Sequence, residues 1–86
     1  MLLNVLRQQI DEVDTQLLQL LSQRMNISKQ IAEIKAQNNL QIYDPNRENA
    51  ILEKLNKIAT NLNLSPEFII KIYQQIFEES KKIQNK

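Results

Sequence analysis

Neither a cysteine nor a histidine occurs in the chain. Disulfides and thiolate chemistry are excluded, and with them go the usual zinc and haem ligand sets and the imidazole general base. A protein without metal or cofactor is the expectation. Glycine is missing altogether and proline occurs twice, at Pro45 and Pro66, a composition that suits helices joined by short polar turns and poorly suits strands and hairpins. No stretch reaches the apolar length of a membrane span, and the start lacks the charged-then-apolar pattern of a signal peptide, so the chain reads as cytoplasmic. Eleven basic residues against ten acidic ones leave a formal charge of +1, which argues against a nucleic-acid footprint.

What remains is an 86-residue chain with 42% hydrophobic residues, read as a single domain spanning residues 1–86. That length is near the lower end of what buries a useful core alone, a shortage that oligomerisation relieves. The apolar residues Leu3, Leu6, Ile10, Val13, Leu17, Leu20, Ile27, Ile31 and Ile34 alternate in steps of three and four, interrupted at one position by Arg24. This pattern predicts one amphipathic helix from Leu3 to about Asn38. A second stripe beside it reads Leu18, Leu21, Met25, Ser28, Ala32 and closes on Lys35; traced backwards it passes Asp14 and Asp11 to Arg7. Such a helix is about 50 Å long, whereas a compact chain of this size has a radius of gyration near 12 Å. It must overhang its own domain, and its apolar stripe calls for a partner chain, most simply a second copy.

Asn38 and Asn39 tolerate left-handed backbone and should stop the first helix. The connection Leu40 to Tyr43 is short, with Leu40 and Ile42 expected to turn inward. Asp44-Pro45 pairs an N-cap carboxylate with proline at the first helical position, and Ser65-Pro66 repeats the device. The second helix should bury Ile51, Leu52, Leu55, Ile58, Ala59 and Leu62. Asn61 to Leu64 forms the next turn. The third helix presents Ile69, Ile72, Tyr73, Ile76 and Phe77, followed on the same face by Ser80, Ile83 and Gln84. There is no internal repeat, linker or low-complexity tract.

Polar residues placed on apolar faces carry the functional signal. Eight of the basic residues are lysines and three are arginines, at Arg7, Arg24 and Arg47. Arginine offers a planar, permanently charged fork that binds a carboxylate bidentately, which lysine does not reproduce. Glu48 extends the row Leu52, Leu55, Ala59 backwards, with Asp44 one turn earlier, and Ser80 and Gln84 continue the row of Tyr73 and Phe77. Each has a plain structural reading too. Asp44 could be only a cap, Glu48 could answer the helix dipole, Ser80 and Gln84 could lie in a fraying tail, and the arginines could be solvated. Three helices each carrying such residues nevertheless point to one pocket.

The ordered set Leu6-Arg7, Ile10-Asp11, Val13-Asp14, Leu17-Leu18, Leu20-Leu21, Arg24, Ile31-Ala32, Lys35, Asp44, Arg47-Glu48 and Ile51-Leu52, with Ser80 and Gln84, resembles the all-helical chorismate mutases over nearly the whole chain. The resemblance implies an all-α fold of one very long and two shorter helices, in an intertwined homodimer with two equivalent pockets. It implies rearrangement of chorismate to prephenate on the way to phenylalanine and tyrosine. Arg24 and Arg7 would clamp the two carboxylates, with Arg47 and Ser80 assisting. Lys35 and Gln84 would donate to the ether oxygen, while Glu48, with Asp44 near it, would accept from the ring hydroxyl. The chain reads as a stand-alone enzyme, with a domain of a larger fused enzyme as the alternative.

That chemistry suits a protein without histidine or cysteine, because a pericyclic rearrangement needs neither nucleophile nor proton shuttle. It needs a flexible dicarboxylate held in its compact conformer and negative charge stabilised on the breaking ether oxygen. Arg24 and Lys35 are about 16 Å apart along the helix axis, within joint reach of one small ligand. Arg7 lies about 25 Å before Arg24, too far to join it, and would serve only a partner's pocket, with helices paired antiparallel about Leu17 and Leu18. Two other readings stand beside this one: a lyase of the same fold that removes pyruvate from isochorismate, and a helical dimerisation module without chemistry.

Overall fold

The structure, a computed structural model, describes residues 1–84. These form three helices and no strand: α1 (Leu2–Gln37), α2 (Pro45–Asn61) and α3 (Pro66–Gln84). The helix starts follow the sequence signals. Asp44 Oδ1 accepts from the Arg47 N–H at 3.0 Å with Pro45 at the first helical position, and Ser65 Oγ accepts from the Phe68 N–H at 3.4 Å before α3. α1 begins without a side-chain cap.

Without glycine, the helix ends rely on asparagine. Asn39 (φ 55°) and Asn63 (φ 59°) both adopt the left-handed conformation. After α1, the Leu40 N–H reaches back to the Lys35 carbonyl at 2.8 Å and the Asn39 N–H to Ala36 at 3.4 Å. After α2, Leu64 reaches Ala59 at 2.8 Å and Asn63 reaches Thr60 at 3.2 Å. Both are Schellman closures, which satisfy carbonyls that the helix itself leaves open and turn the chain sharply.

α3 packs on both α1 and α2, while α1 and α2 do not pack on each other among the described residues. A wedge is left between them. The core is thin: Ala59 and Phe77 are its buried apolar residues, with Ser28 and Ser80 the buried polar ones. Three expected core positions are corrected. Leu40 is 59% exposed, Leu62 63% and Ile58 41%, because no described element covers that side of the connection or of α2; Ile72 at 38% is marginal. Ile42 does turn inward.

The N-terminal half of α1 extends past everything else. Leu6, Ile10, Val13, Leu17 and Leu20 are each about half exposed or more, so each leaves most of the roughly 1.5–3 kcal/mol of its burial free energy unrealised in the single chain. The radius of gyration is 16.1 Å and the long axis 57 Å, against about 12 Å for the radius of a compact chain of this length. No described helix is long and apolar enough to cross a membrane.

Candidate active site

The wedge between α1, α2 and α3 is a cleft of about 390 Å³. α1 gives it one face, Arg24, Ile27, Ser28, Ile31 and Lys35, whose spacing of three and four points them the same way. α3 gives Phe77, Ser80, Lys81 and Gln84; the first turn of α2 and its cap give Asp44, Arg47, Glu48 and Ile51, and the connection gives Ile42. Seven of the eight residues singled out from the sequence thus meet here: Arg24, Lys35, Asp44, Arg47, Glu48, Ser80 and Gln84. Arg7 does not, since it lies on the exposed N-terminal half of α1.

Arg24 rests against aromatic rings. Its guanidinium carbon is 5.8 Å from the Tyr73 ring centroid and 5.9 Å from that of Phe77, and the two rings meet edge-on at 6.0 Å. This cation–π seat orients the fork without using its N–H donors. No carboxylate pairs with Arg24 among the described residues. Lys35 donates from Nζ to the Ile42 carbonyl at 2.9 Å, fastening the connection to α1. Asp44 is both the α2 cap and part of the cleft wall.

Two polar lining residues, Lys81 and Ser28, were not among the site residues expected from the sequence. Lys81 stands 3.0 Å from Glu78 and 3.6 Å from Glu48, with its ammonium 4.7 Å from the Tyr43 ring centroid. The hydrogen bond to Glu78 pushes its pKa above the usual lysine value, with desolvation opposing this and the charge of Glu48 adding to it. Ser28 shares a 2.6 Å hydrogen bond with Ser80 across α1 and α3. Spacing could have found both: Ser28 is four residues after Arg24 and seven before Lys35, and Lys81 is four after Phe77 and three before Gln84. Ser80 and Gln84 are set within α3, with Ser80 buried, so the frayed-tail reading does not hold for Ser80.

Arg24, Lys35, Arg47 and Lys81 oppose two carboxylates, Asp44 and Glu48, over walls of isoleucine and phenylalanine. The excess positive charge suits an anion with an apolar skeleton, and the walls offer donors but no cysteine or histidine nucleophile. Fold and cleft define a class: an all-helical protein with a cationic, apolar-walled cleft of a kind suited to a small anion.

The chain belongs to the chorismate mutase type II family, whose model matches residues 6–85. It is 37% identical over 79 residues to the chorismate mutase of Methanocaldococcus jannaschii, a similarity covering 92% of this chain and 80% of that protein. It is 39% identical over 84 residues to the bifunctional chorismate mutase/prephenate dehydratase of Buchnera aphidicola subsp. Schizaphis graminum, covering 93% of this chain and 22% of that one. To the T-protein of Enterobacter agglomerans it is 37% identical over 78 residues, covering 91% and 21%. The chain therefore spans most of the first relative and about a fifth of the other two.

Proposed function

We propose that the chain is a chorismate mutase, rearranging chorismate to prephenate in the cytoplasm as a cofactor-free homodimer that serves aromatic amino acid biosynthesis. The observation that carries this reading is the cleft itself, where Arg24, Lys35, Arg47 and Lys81 outnumber Asp44 and Glu48 around apolar walls, in a chain of this family. Its charge suits a dicarboxylate and its walls suit a ring.

The reaction breaks the ether C–O bond and forms a C–C bond within one molecule, with no proton transferred. Arg24, seated on Tyr73 and Phe77, clamps one carboxylate, with Arg47 and Ser80 assisting; Arg7 of the partner subunit clamps the other. This holds the extended substrate in its reactive, folded conformer. Lys35 and Gln84 donate to the ether oxygen as it gains charge, a contribution that grows toward the transition state and so raises kcat. Glu48, with Asp44 beside it, accepts from the ring hydroxyl. The cations offset the cost of drawing a dianion out of water.

The dimer supplies what one chain lacks. Leu6, Ile10, Val13, Leu17 and Leu20 need cover, and antiparallel pairing of two α1 helices would bury them against each other while carrying Arg7 to the second cleft.

Loss of chorismate absorbance with purified protein, with the products separated and identified, tests this reading. Prephenate supports it. Inertness towards chorismate with pyruvate released from isochorismate would assign the lyase instead, and a folded dimer silent on both would be an interaction module.

A further inference from the structure

The exposed helical threonines of this chain treat their hydroxyls in the ordinary way. Thr15 donates to the Asp11 carbonyl at 3.1 Å and Thr60 to the Asn56 carbonyl at 2.9 Å, each one turn back along its own helix. Ser28 and Ser80 do otherwise. They bond to each other at 2.6 Å between α1 and α3, both buried and both on the cleft wall.

Two hydroxyls bring two protons, and the bond between them uses one. Whichever oxygen accepts keeps its own O–H, for which the described residues supply no hydrogen-bond acceptor. A buried donor of this kind is costly unless something fills it, and both serines line the cleft. Ser80 is the more exposed of the two, 8% against 4%, and it shares its helix face with the cleft residues Phe77, Lys81 and Gln84.

We propose that Ser28 is a positioning residue: it donates to Ser80 Oγ, and so holds the Ser80 hydroxyl with its own proton turned into the cleft, towards a substrate carboxylate. Accepting from Ser28 holds the Ser80 oxygen off its own helix and polarises its O–H, making it a better donor to an anion. The inference rests on the reading of the cleft as a chorismate site and deepens it.

Steady-state kinetics of Ser28→Ala, Ser80→Ala and the double variant test it. Ser28→Ala should raise KM for chorismate about threefold to tenfold with kcat little changed, the size of one ordinary hydrogen bond. Ser80→Ala should raise it at least as much, and the double variant should be no worse than Ser80→Ala, since Ser28 acts only through Ser80. Ser28→Thr, which restores a hydroxyl, should recover the loss. Should Ser28→Ala not fold, Ser28→Cys keeps the volume with a weak donor and gives the same readout. An unchanged KM with only a lower melting temperature, or additive losses, would overturn the inference while leaving the function intact. Wild-type protein inert towards chorismate would overturn it together with the reading beneath it.

Discussion

Lys35 Nζ lies 2.9 Å from the carbonyl oxygen of Ile42, so the lysine proposed to meet the ether oxygen also ties the α1–α2 connection to α1. An ammonium has three donors, and this bond uses one while fixing where the others point. Lys35→Ala should lower kcat by about 10²–10³, the usual effect of losing one preorganised donor to a developing oxyanion. Its KM should change less. Turnover measured at saturating chorismate checks this; a loss confined to KM would leave Lys35 as a binding and loop-fastening residue only.

Lys81 bridges two carboxylates on two helices, Glu78 on its own and Glu48 on α2. Its pKa is raised, so the ion pairs are fully formed below the ordinary lysine value of 10.5 and are lost only as pH climbs through the higher folded-state value. Lys81→Gln should therefore lower the melting temperature slightly, as suits a partly exposed pair screened by solvent. That deficit should be constant over the roughly neutral range and shrink in strong alkali. Thermal melts of both proteins as a function of pH give the answer, and a deficit that changes around neutrality would place the effect elsewhere.

Asp44 has two duties that substitution can separate. Asp44→Asn keeps a side-chain oxygen for the Arg47 N–H and should leave stability nearly unchanged, while Asp44→Ala should cost about 1 kcal/mol, or roughly 4–8 °C in melting temperature. Both remove the carboxylate from the cleft and should raise KM alike. If neither moves KM, Asp44 is a cap and nothing more.

Much of this was legible in the sequence because local rules govern it. Asp44-Pro45 and Ser65-Pro66 announced two helix starts, and Asn39 marked a helix end, because caps and left-handed turns depend on a few adjacent residues. The cleft residues Arg24, Lys35, Glu48 and Ser80 stood out as polar trespassers on apolar stripes. Other features depend on what lies across a gap. Periodicity identified the face bearing Ile58 and Leu62 but not whether any neighbour covers it, and none of the described elements does. Ser28 looked like one small residue in a stripe until α3 brought Ser80 against it, and Lys81 acquired its place only once Glu48 faced it from α2.

The proposed pairing of two α1 helices would have its own geometric signature. With the two-fold axis near Leu17 and Leu18, Leu18→Cys in each chain should form an interchain disulfide readily under mild oxidation. Non-reducing electrophoresis reads this out, and no crosslink from a dimer of normal mass would place the axis elsewhere on α1.

In the proposed dimer, each cleft is built by one chain and completed by Arg7 of the partner subunit. Arg7→Ala and Arg24→Ala should each abolish most prephenate formation as homodimers. Mixed, unfolded and refolded together, they should form heterodimers in which one cleft has both arginines and the other has neither. Chorismate turnover in the mixture should then recover to about a quarter of the wild-type level, since half of the dimers are mixed and half of their clefts intact. A mixture that forms heterodimers yet stays as inactive as its parents would contradict the shared cleft.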